Sequence, residues 1–342
     1  MEKAKAYILT NGNSPAFWLI DNLWMPLATS HLTGNRFCLL EQVCATGIGG
    51  PPTHTHSSDE GFYVLEGKCT FRAGGVTVEA EAGSFILIPR ETEHSFSVDQ
   101  PQTHVLNFYT PAGFEMILMS IAGPALERKP PPPNAVPIPP RWILEELSRE
   151  YGQKAVLGMP FVDMPTEQNS VTTASKINPI QPYMTSRDTA PAYWQESILW
   201  SVLASSEQTG GAFSLLEELC PMQSGPPPHT HEQDEALYIM DGEITVQTED
   251  WVSAVGAGSL VYIPRGTVHS FRVDSQTARL LNFYLPGGFE QTITTFAQPA
   301  NALTLPPPNL TIKSDGDRMK LLFERVGMRP VAGPDTLREN KR

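Results

Sequence analysis

The chain repeats itself, and this repeat limits the folds open to it more than any other feature does. Residues 50–115 align without a gap with residues 225–290, at an offset of 175, and 31 of the 66 aligned positions are identical. Upstream of this block the offset becomes 176, where Cys44 matches Cys220. The period is far too long for a solenoid, so the repeat is a duplicated domain. We expect the two copies to pack as a pseudo-symmetric pair.

The length of the chain agrees with two domains. Its 342 residues exceed the usual size of one hydrophobic core. A segment without a counterpart in the other copy lies between the repeats and is polar, contains prolines and lacks helical periodicity, as expected of a connector. The predicted domains are residues 1–155 and 181–342, with the connector at residues 156–180.

Short β-branched or aromatic runs dominate each copy and are separated by turn residues. Examples from the first copy are FCLLEQVCA, GFYVLEG, SFILIPR and HVLNFYTPAG. Such runs, repeated about every ten residues, favour an antiparallel sandwich or barrel. The only strong helix predictions are RWILEELSREYG and DRMKLLFERVG, each with a glycine at its C-terminal end. The predicted fold class is all-β, with two β-barrel domains that each carry a short C-terminal helical segment.

Composition excludes several classes of partner. The formal net charge of -13 disfavours nucleic acid and anionic membranes, because both select a basic surface. The sequence contains no apolar run long enough to cross a bilayer and no charged-then-apolar leader, so we expect a cytoplasmic protein that does not bind membranes. The four cysteines lack metal-site spacing and are expected to be buried free thiols. The expected partner is a small molecule.

Histidine placement is the strongest functional signal. Each copy carries an HxH pair, a glutamate four residues after the second histidine, and a third histidine after a later hairpin. The two sets are His54, His56, Glu60 and His94, and His229, His231, Glu235 and His269. Residues i and i+2 of a strand point to the same face, so both histidines of a pair can point into one barrel. A lone histidine is more often an ordinary core or surface residue, but six of the eight histidines occupy these positions.

Three imidazoles and a carboxylate favour a divalent first-row transition metal, with room for two further ligands. Closed structural zinc sites usually use cysteine in tetrahedral sets, which this spacing does not provide. The sequence therefore predicts up to two reactive metal centres per chain. Iron, manganese, nickel, cobalt, copper and zinc all bind such a donor set, so the identity of the metal stays open.

These motifs resemble the two motifs of the cupin superfamily. HxHxxxE is followed by Gly67 and then by GSFILIPRETEH, residues Gly83 to His94, and the second copy has GSLVYIPRGTVH, residues Gly258 to His269. The whole chain therefore looks like a bicupin, which implies that each β-barrel is a jelly roll.

One residue departs from the cupin pattern. Glu91 stands where the family usually has the glycine that the second copy keeps as Gly266. This departure predicts an altered turn ahead of His94, and it favours the second site as the better formed of the two.

A narrower resemblance, to the quercetin 2,3-dioxygenase-like group of cupins, spans both halves. It rests on the AFW and AYW segments, the TGN and TGG turns, the PP before each HxH, and the tails NFYTPAGFE and NFYLPGGFE. In that group a divalent metal held by three histidines and a glutamate binds a flavonol enolate, and dioxygen cleaves the heterocycle with loss of carbon monoxide. The resemblance implies this or a related oxygenation of a small aromatic or polyketide-type substrate. Glu60 or Glu235 would be the general base, because a carboxylate at the metal edge can take the hydroxyl proton.

Other functions stay open at this point. An oxalate-decarboxylase-like bicupin would need cationic groups near a small dianionic substrate, and Arg90 and Arg265 are the candidates. A non-oxidative cyclase or isomerase would need the metal but not oxygen. A non-catalytic ligand-binding cupin is disfavoured, because imidazole and carboxylate groups inside a barrel are costly unless coordinated. Cupins often form homodimers, although no feature of this sequence identifies the surface.

The residues around the predicted ligands have less specific roles. Aromatic residues on the ligand-bearing strands, Tyr109 and Tyr284 among them, are expected to be barrel core rather than substrate wall. Asn107 and Asn282 lie inside otherwise apolar strands. A buried amide needs hydrogen-bond partners, so these two side chains could orient a ligand or substrate, although a purely structural role is favoured.

Overall fold

The computed structural model describes residues 4–45, 47–48, 52–137, 139–155, 180–308, 310, 316–331 and 337. The chain forms two compact units. We call one unit the first barrel, comprising Pro15–Ser30 and Asn35–Met184. The other, the second barrel, comprises Met1–Ser14, His31–Gly34 and Thr185–Arg342. All but one residue of the predicted connector lies outside the described residues, and the predicted domain boundaries stay a prediction.

The elements of the first half of the chain are, in order, β1 (Tyr7–Thr10), β2 (Phe17–Leu19), β3 (Asn22–Ala28), α1 (Ser30–Thr33), β4 (Cys38–Cys44), β5 (Gly47–Ile48), β6 (His54–His56), β7 (Asp59–Glu66), β8 (Lys68–Ala73), β9 (Val76–Glu81), β10 (Ser84–Ile88), β11 (His94–Val98), β12 (Thr103–Thr110), α2 (Phe114–Ile121), β13 (Gly123–Pro124), α3 (Arg141–Glu150) and β14 (Gln153–Ala155).

The elements of the second half are β15 (Tyr183–Ser186), β16 (Ala192–Gln195), β17 (Ile198–Ala204), β18 (Ser214–Pro221), β19 (His229–Thr230), β20 (Asp234–Asp241), β21 (Glu243–Thr248), β22 (Val252–Gly256), β23 (Ser259–Ile263), β24 (His269–Val273), β25 (Thr277–Leu285), α4 (Glu290–Phe296), β26 (Gln298–Pro299), α5 (Gly316–Arg325) and β27 (Arg329–Pro330).

The first barrel consists of two antiparallel sheets. The larger has the strand order β13-β2-β3-β4-β12-β7-β10-β15, and the smaller has the order β14-β6-β11-β8-β9 with β5 also beside β11. Both sheets contribute side chains to a shared apolar core. Phe62 on β7 lies 4.9 Å from Phe71 and 5.0 Å from Phe96, measured between ring centroids, and the last two rings stack at 5.2 Å.

The second barrel repeats this arrangement. Its larger sheet has the order β1-β23-β20-β25-β18-β17-β16-β26 and its smaller sheet the order β22-β21-β24-β19-β27. Strand β1 is the edge strand of this larger sheet, with Tyr7 opposite Tyr262. The core here is more aliphatic, because Leu237 and Val246 occupy the positions equivalent to Phe62 and Phe71. The prediction of an all-β chain with two barrels is confirmed.

Both predicted C-terminal helices are present as α3 and α5, each followed by a glycine in the left-handed region, Gly152 at φ 75° and Gly327 at φ 72°. The expectation that they are the only good helices is wrong, since α2 and α4 also form. At the start of α2, the side chain of Glu115 accepts hydrogen bonds from the backbone N–H groups of Ser30 and Gly113. Because Ser30 is distant in sequence, the local pattern does not show this contact. Among the described residues, no helix is long and apolar enough to cross a membrane.

Candidate metal centres

Adjacent strands bring the first predicted set together. His54 and His56 lie on β6 and Glu60 on β7, while His94 opens β11 and pairs directly with His54 in the strand register. All four side chains are buried. One ligand atom from each of the three histidines lies within 4.8 Å of the other two.

The second predicted set has the same arrangement. His229 lies on β19 opposite His269, which opens β24, and Glu235 lies on β20. His231 follows β19 directly, and the three histidines again form a buried cluster within 4.8 Å. Each barrel therefore holds a complete set of the predicted residues.

Backbone carbonyl groups fix the tautomer of all six histidines. Each Nδ1 atom lies 2.7–2.9 Å from a carbonyl oxygen, in the pairs His54–Pro52, His56–Ser58, His94–Thr92, His229–Pro227, His231–Gln233 and His269–Thr267. A carbonyl oxygen can only accept, so Nδ1 carries the proton. The Nε2 atom of each neutral ring then holds a lone pair that is free to coordinate a metal.

In each barrel, two of these Nε2 atoms lie beside a carboxylate. Oε2 of Glu60 lies 3.1 Å from Nε2 of His56 and 2.9 Å from Nε2 of His94. The corresponding distances from Glu235 are 3.1 Å to His231 and 2.8 Å to His269. Nε2 of His94 and Nε2 of His269 are buried and have no described hydrogen-bond partner other than this carboxylate. An imidazole nitrogen and a carboxylate oxygen at such distances need a proton or a metal cation between them, and the donor set fits a divalent first-row metal.

The protonation states favour metal binding. Burial alone would raise the pKa of Glu60 and Glu235, but hydrogen bonds and charge from two imidazoles in each barrel hold these pKa values well below the usual range. Burial, reinforced by the neighbouring third histidine, lowers the pKa of His54 and of His229 to about 3. Glu60 and Glu235 are thus ionised while His54 and His229 are neutral, which is the state a metal requires of its ligands. Burial would lower the pKa of His56, but the hydrogen bond and charge of Glu60 raise it, so His56 must release any Nε2 proton when a metal binds.

Both buried asparagines bind the glutamates. Nδ2 of Asn107 donates to Oε1 of Glu60 at 2.9 Å, and Nδ2 of Asn282 donates to Oε1 of Glu235 at 2.8 Å. The amides thus hold one carboxylate oxygen while the other faces the histidines. This finding supports the orienting role that the sequence suggested for the two amides.

Sequence reasoning missed two features beside these amides. The rings of Tyr109 and Tyr284 are buried as expected, but their hydroxyl groups also bond to Glu60 and Glu235, and burial holds both tyrosine pKa values well above the usual range. Glu218 on β18 also accepts a bond from Asn282, at 2.9 Å. Only its place in an apolar strand, two residues before Cys220, could have indicated it.

Arg90 and Arg265, which occupy equivalent positions in the two copies, bind aspartates rather than the histidine clusters. Arg90 bonds to both carboxylate oxygens of Asp59, at 3.1 Å and 2.7 Å, and the Arg90 backbone N–H donates to the same carboxylate at 2.9 Å. Arg265 repeats these bonds with Asp234, at 3.4 Å, 2.8 Å and 2.9 Å. Each arginine therefore fixes the turn that precedes the third histidine.

The turn at Glu91 is not altered. Glu91 has φ 60° and Gly266 has φ 76°, so both residues occupy the left-handed region. The backbone N–H of Glu91 donates to the carbonyl of His56 at 2.8 Å, as that of Gly266 does to His231. The expected distortion is wrong, because Glu91 accepts the strained backbone conformation, and that reason for preferring the second site no longer holds.

Comparison with known proteins agrees with this architecture. The family model described as cupin domain matches residues 42–106 and again residues 215–284. The chain contains two cupin domains, one in each barrel. Its two histidine clusters provide for up to two divalent transition metal ions, in agreement with the predicted cofactor.

The chain is also similar to individual proteins along most of its length. Quercetin 2,3-dioxygenase of Bacillus subtilis (strain 168) is 26% identical over 302 residues, which cover 86% of each chain. Two structures of Bacillus subtilis oxalate decarboxylase share the fold. One, from work on its Mn(II) centres, has a TM-score of 0.57 at 11% identity and covers 84% of this chain and 79% of that one. The other, at pH 4.6, has a TM-score of 0.56 at 11% identity, with coverages of 84% and 78%.

Proposed function

We propose that this bicupin is a metal-dependent dioxygenase that opens the ring of a flavonol-like or other enolisable aromatic or polyketide-type substrate. The observation that carries the proposal is the buried cluster of three histidines that recurs in both barrels, with an ionised carboxylate beside two of the three Nε2 atoms. The similarity to a quercetin 2,3-dioxygenase along 86% of the chain supports the choice of reaction.

The proposed metal ligands are the eight residues of the two sets, and they would take their places with little rearrangement. They are His54, His56, Glu60 and His94 in the first barrel, and His229, His231, Glu235 and His269 in the second. A divalent metal bound there supplies Lewis acidity, which lowers the pKa of a coordinated hydroxyl group and so favours the enolate of the substrate.

Glu60 and Glu235 are the proposed general bases. In each, the asparagine holds Oε1 while Oε2 faces the cluster, so the second oxygen can take a hydroxyl proton at contact distance. The low pKa of each carboxyl keeps it ionised and ready to accept. A carboxylate with so low a pKa is a weak base in water, but it is strong enough to take a proton from a hydroxyl group that a metal has already made acidic.

The contacts of Arg90 and Arg265 count against an oxalate-type substrate. Both guanidinium groups bond to aspartates rather than projecting toward the cluster. Recognition of a small dianion would require cationic groups at the metal, because carboxylates buried without partners are costly. An aromatic enolate carries a single charge, which the metal itself neutralises.

Oxygen consumption tests the proposal. The metal-loaded protein is mixed with quercetin and other enolisable aromatics under air, while oxygen uptake and carbon monoxide release are recorded. We expect both, in equal amounts, with quercetin. Substrate conversion that is equally fast under nitrogen would replace the dioxygenase proposal with a non-oxidative cyclase or isomerase.

Glutamine variants test the base within the same assay. Glu60→Gln and Glu235→Gln, made together, should lower kcat about a hundredfold or more, since proton transfer by a side chain typically contributes that much. KM should change far less. The exposed Glu232→Gln serves as the control for loss of a nearby carboxylate. Equal losses in kcat and in substrate affinity would contradict the base role.

A further inference from the structure

Glu218 links to the second metal centre through a single amide. Oε1 of Glu218 lies 2.9 Å from Nδ2 of Asn282, and the same nitrogen lies 2.8 Å from Oε1 of Glu235. Glu218, Asn282 and Glu235 are all buried. The amide therefore bridges a carboxyl group that is not part of the histidine cluster and one that is.

Glu218 is well placed to orient that amide. An amide nitrogen has two hydrogens in one plane, so bonding both to carboxyl oxygens fixes the orientation of the group. The hydroxyl oxygen of Tyr284 also lies 2.8 Å from Nδ2. On the other side of the amide, Oδ1 of Asn282 is buried and bonds to no described group. The amide is thus held from its nitrogen side, where Glu218 supplies the contact opposite Glu235.

A carboxyl group at this position needs an explanation other than packing. Burial raises the pKa of Glu218 to about 8, and the charge of nearby Glu235 acts in the same direction. The group is therefore mostly protonated at neutral pH and does not repel Glu235. An apolar side chain of similar volume would fill the space without the cost of burying an acid.

The first barrel differs at this point. The repeat places Gln42 at the position of Glu218. Asn107 donates to Glu60 at 2.9 Å, lies 3.5 Å from the carbonyl oxygen of Gly61, and is hydrogen-bonded to the hydroxyl group of Tyr109. Among the described residues of the first barrel, Asn107 has no second carboxyl partner.

We propose that Glu218 is a positioning residue of the second metal centre, which acts through Asn282 to set the place of the Glu235 carboxylate. The two centres of the chain are then not equivalent. This inference rests on the proposed role of Glu235 as a metal ligand, but it does not depend on the identity of the substrate.

Cobalt(II) is the probe for the test, because its visible absorption bands respond to small changes in ligand geometry. The parent is His54→Ala/His56→Ala, in which only the second centre binds. In this parent, Glu218→Met should shift the cobalt bands and weaken cobalt affinity about tenfold, as loss of a group that orients a metal ligand typically does. Glu218→Gln, which keeps an acceptor oxygen, should restore both.

Two controls separate positioning from general damage. Glu217→Gln changes the neighbouring residue of β18, which pairs with Arg279 instead, and should leave the cobalt bands unchanged. Gln42→Met, in a His229→Ala/His231→Ala parent that reports on the first centre, should also leave them unchanged. Parental bands and affinity in Glu218→Met, or equal damage in Glu218→Gln, would overturn the proposal.

A second apolar replacement keeps the test decisive if Glu218→Met does not fold. Glu218→Leu in the second-centre parent also removes the acceptor oxygen opposite Glu235, and we expect the same shift of the cobalt bands and the same loss of affinity. Unchanged bands would overturn the proposal. A parent that binds no cobalt would overturn the metal centre itself, whereas absent oxygen uptake with quercetin would overturn only the reaction.

Discussion

At the scale of single residues, the chemistry of each centre depends on atoms outside the ligand set. The carbonyl groups of Pro52, Ser58 and Thr92 hold the Nδ1 protons of the first three histidines. Without these acceptors a neutral imidazole could place its proton on Nε2 and lose its capacity to coordinate. The backbone around the histidines thus sets the tautomer in which Nε2 can coordinate a metal, and the HxH spacing alone does not reveal this.

The buried acid Glu218 makes stability depend on pH. Its pKa is raised from 4.5 to about 8 in the folded chain, so between these values the folded state keeps a proton that the unfolded state releases. Stability therefore falls as pH rises through this window, by at most about 1.4 kcal/mol per pH unit. Glu218→Gln removes the effect. We expect the metal-free variant to gain stability over the wild type from pH 5 to pH 8.

Urea unfolding of both metal-free proteins at pH 5 and pH 8 measures this gain. Glu146→Gln, which removes an exposed carboxylate from α3, is the control and should show no such trend. A difference between wild type and Glu218→Gln that is the same at both pH values would contradict the raised pKa.

At the scale of elements, the turns that present the ligands depend on backbone conformation more than on side-chain identity. Gly242, between β20 and β21, and Gly266, before β24, have φ 83° and 76°. A Cβ atom on Gly242 would lie 2.4 Å from the carbonyl oxygen of Thr277, whereas one on Gly266 would meet nothing within 4 Å. An alanine at Gly266 therefore introduces only the strain of a left-handed backbone conformation, whereas an alanine at Gly242 introduces the same strain and a steric clash as well.

We expect Gly266→Ala to cost about 1–2 kcal/mol of unfolding free energy, the usual cost of a left-handed conformation. Gly242→Ala should cost a further amount of about 1–3 kcal/mol, because the β20–β21 turn must move away from Thr277. Chemical denaturation of both variants measures the two costs. Equal losses would show that the turn at Gly242 relaxes freely.

The sequence predicts which histidines and glutamates come together because their spacing is local. HxHxxxE places three of them within seven residues, and strand periodicity gives their direction. Long-range partners leave no such pattern. The bond between Asn282 and Glu218 joins residues 64 positions apart, and β1 pairs with β23 across most of the chain. At Glu91 the sequence misleads in the opposite way, because an unusual residue adopts the same left-handed backbone conformation as Gly266 in the second copy.

At the scale of the whole molecule, duplication gives two histidine clusters, and we expect them to bind metal independently. Each barrel supplies all of its own proposed ligands from within its own unit. Loss of one ligand set should therefore leave the other occupied. The wild type should contain two metal ions per chain, and His54→Ala/His56→Ala or His229→Ala/His231→Ala should each contain one.

Thermal stability should follow the same division. A ligand that binds only the folded state stabilises it by about 2.7 kcal/mol at a hundredfold excess over its Kd. Chelation should thus lower the Tm of the wild type, and each single-centre variant should show a smaller decrease than the wild type does. Elemental analysis and differential scanning calorimetry with and without chelator measure the two quantities. If disabling one centre removes both metals, occupancy of one barrel must depend on the ligands of the other.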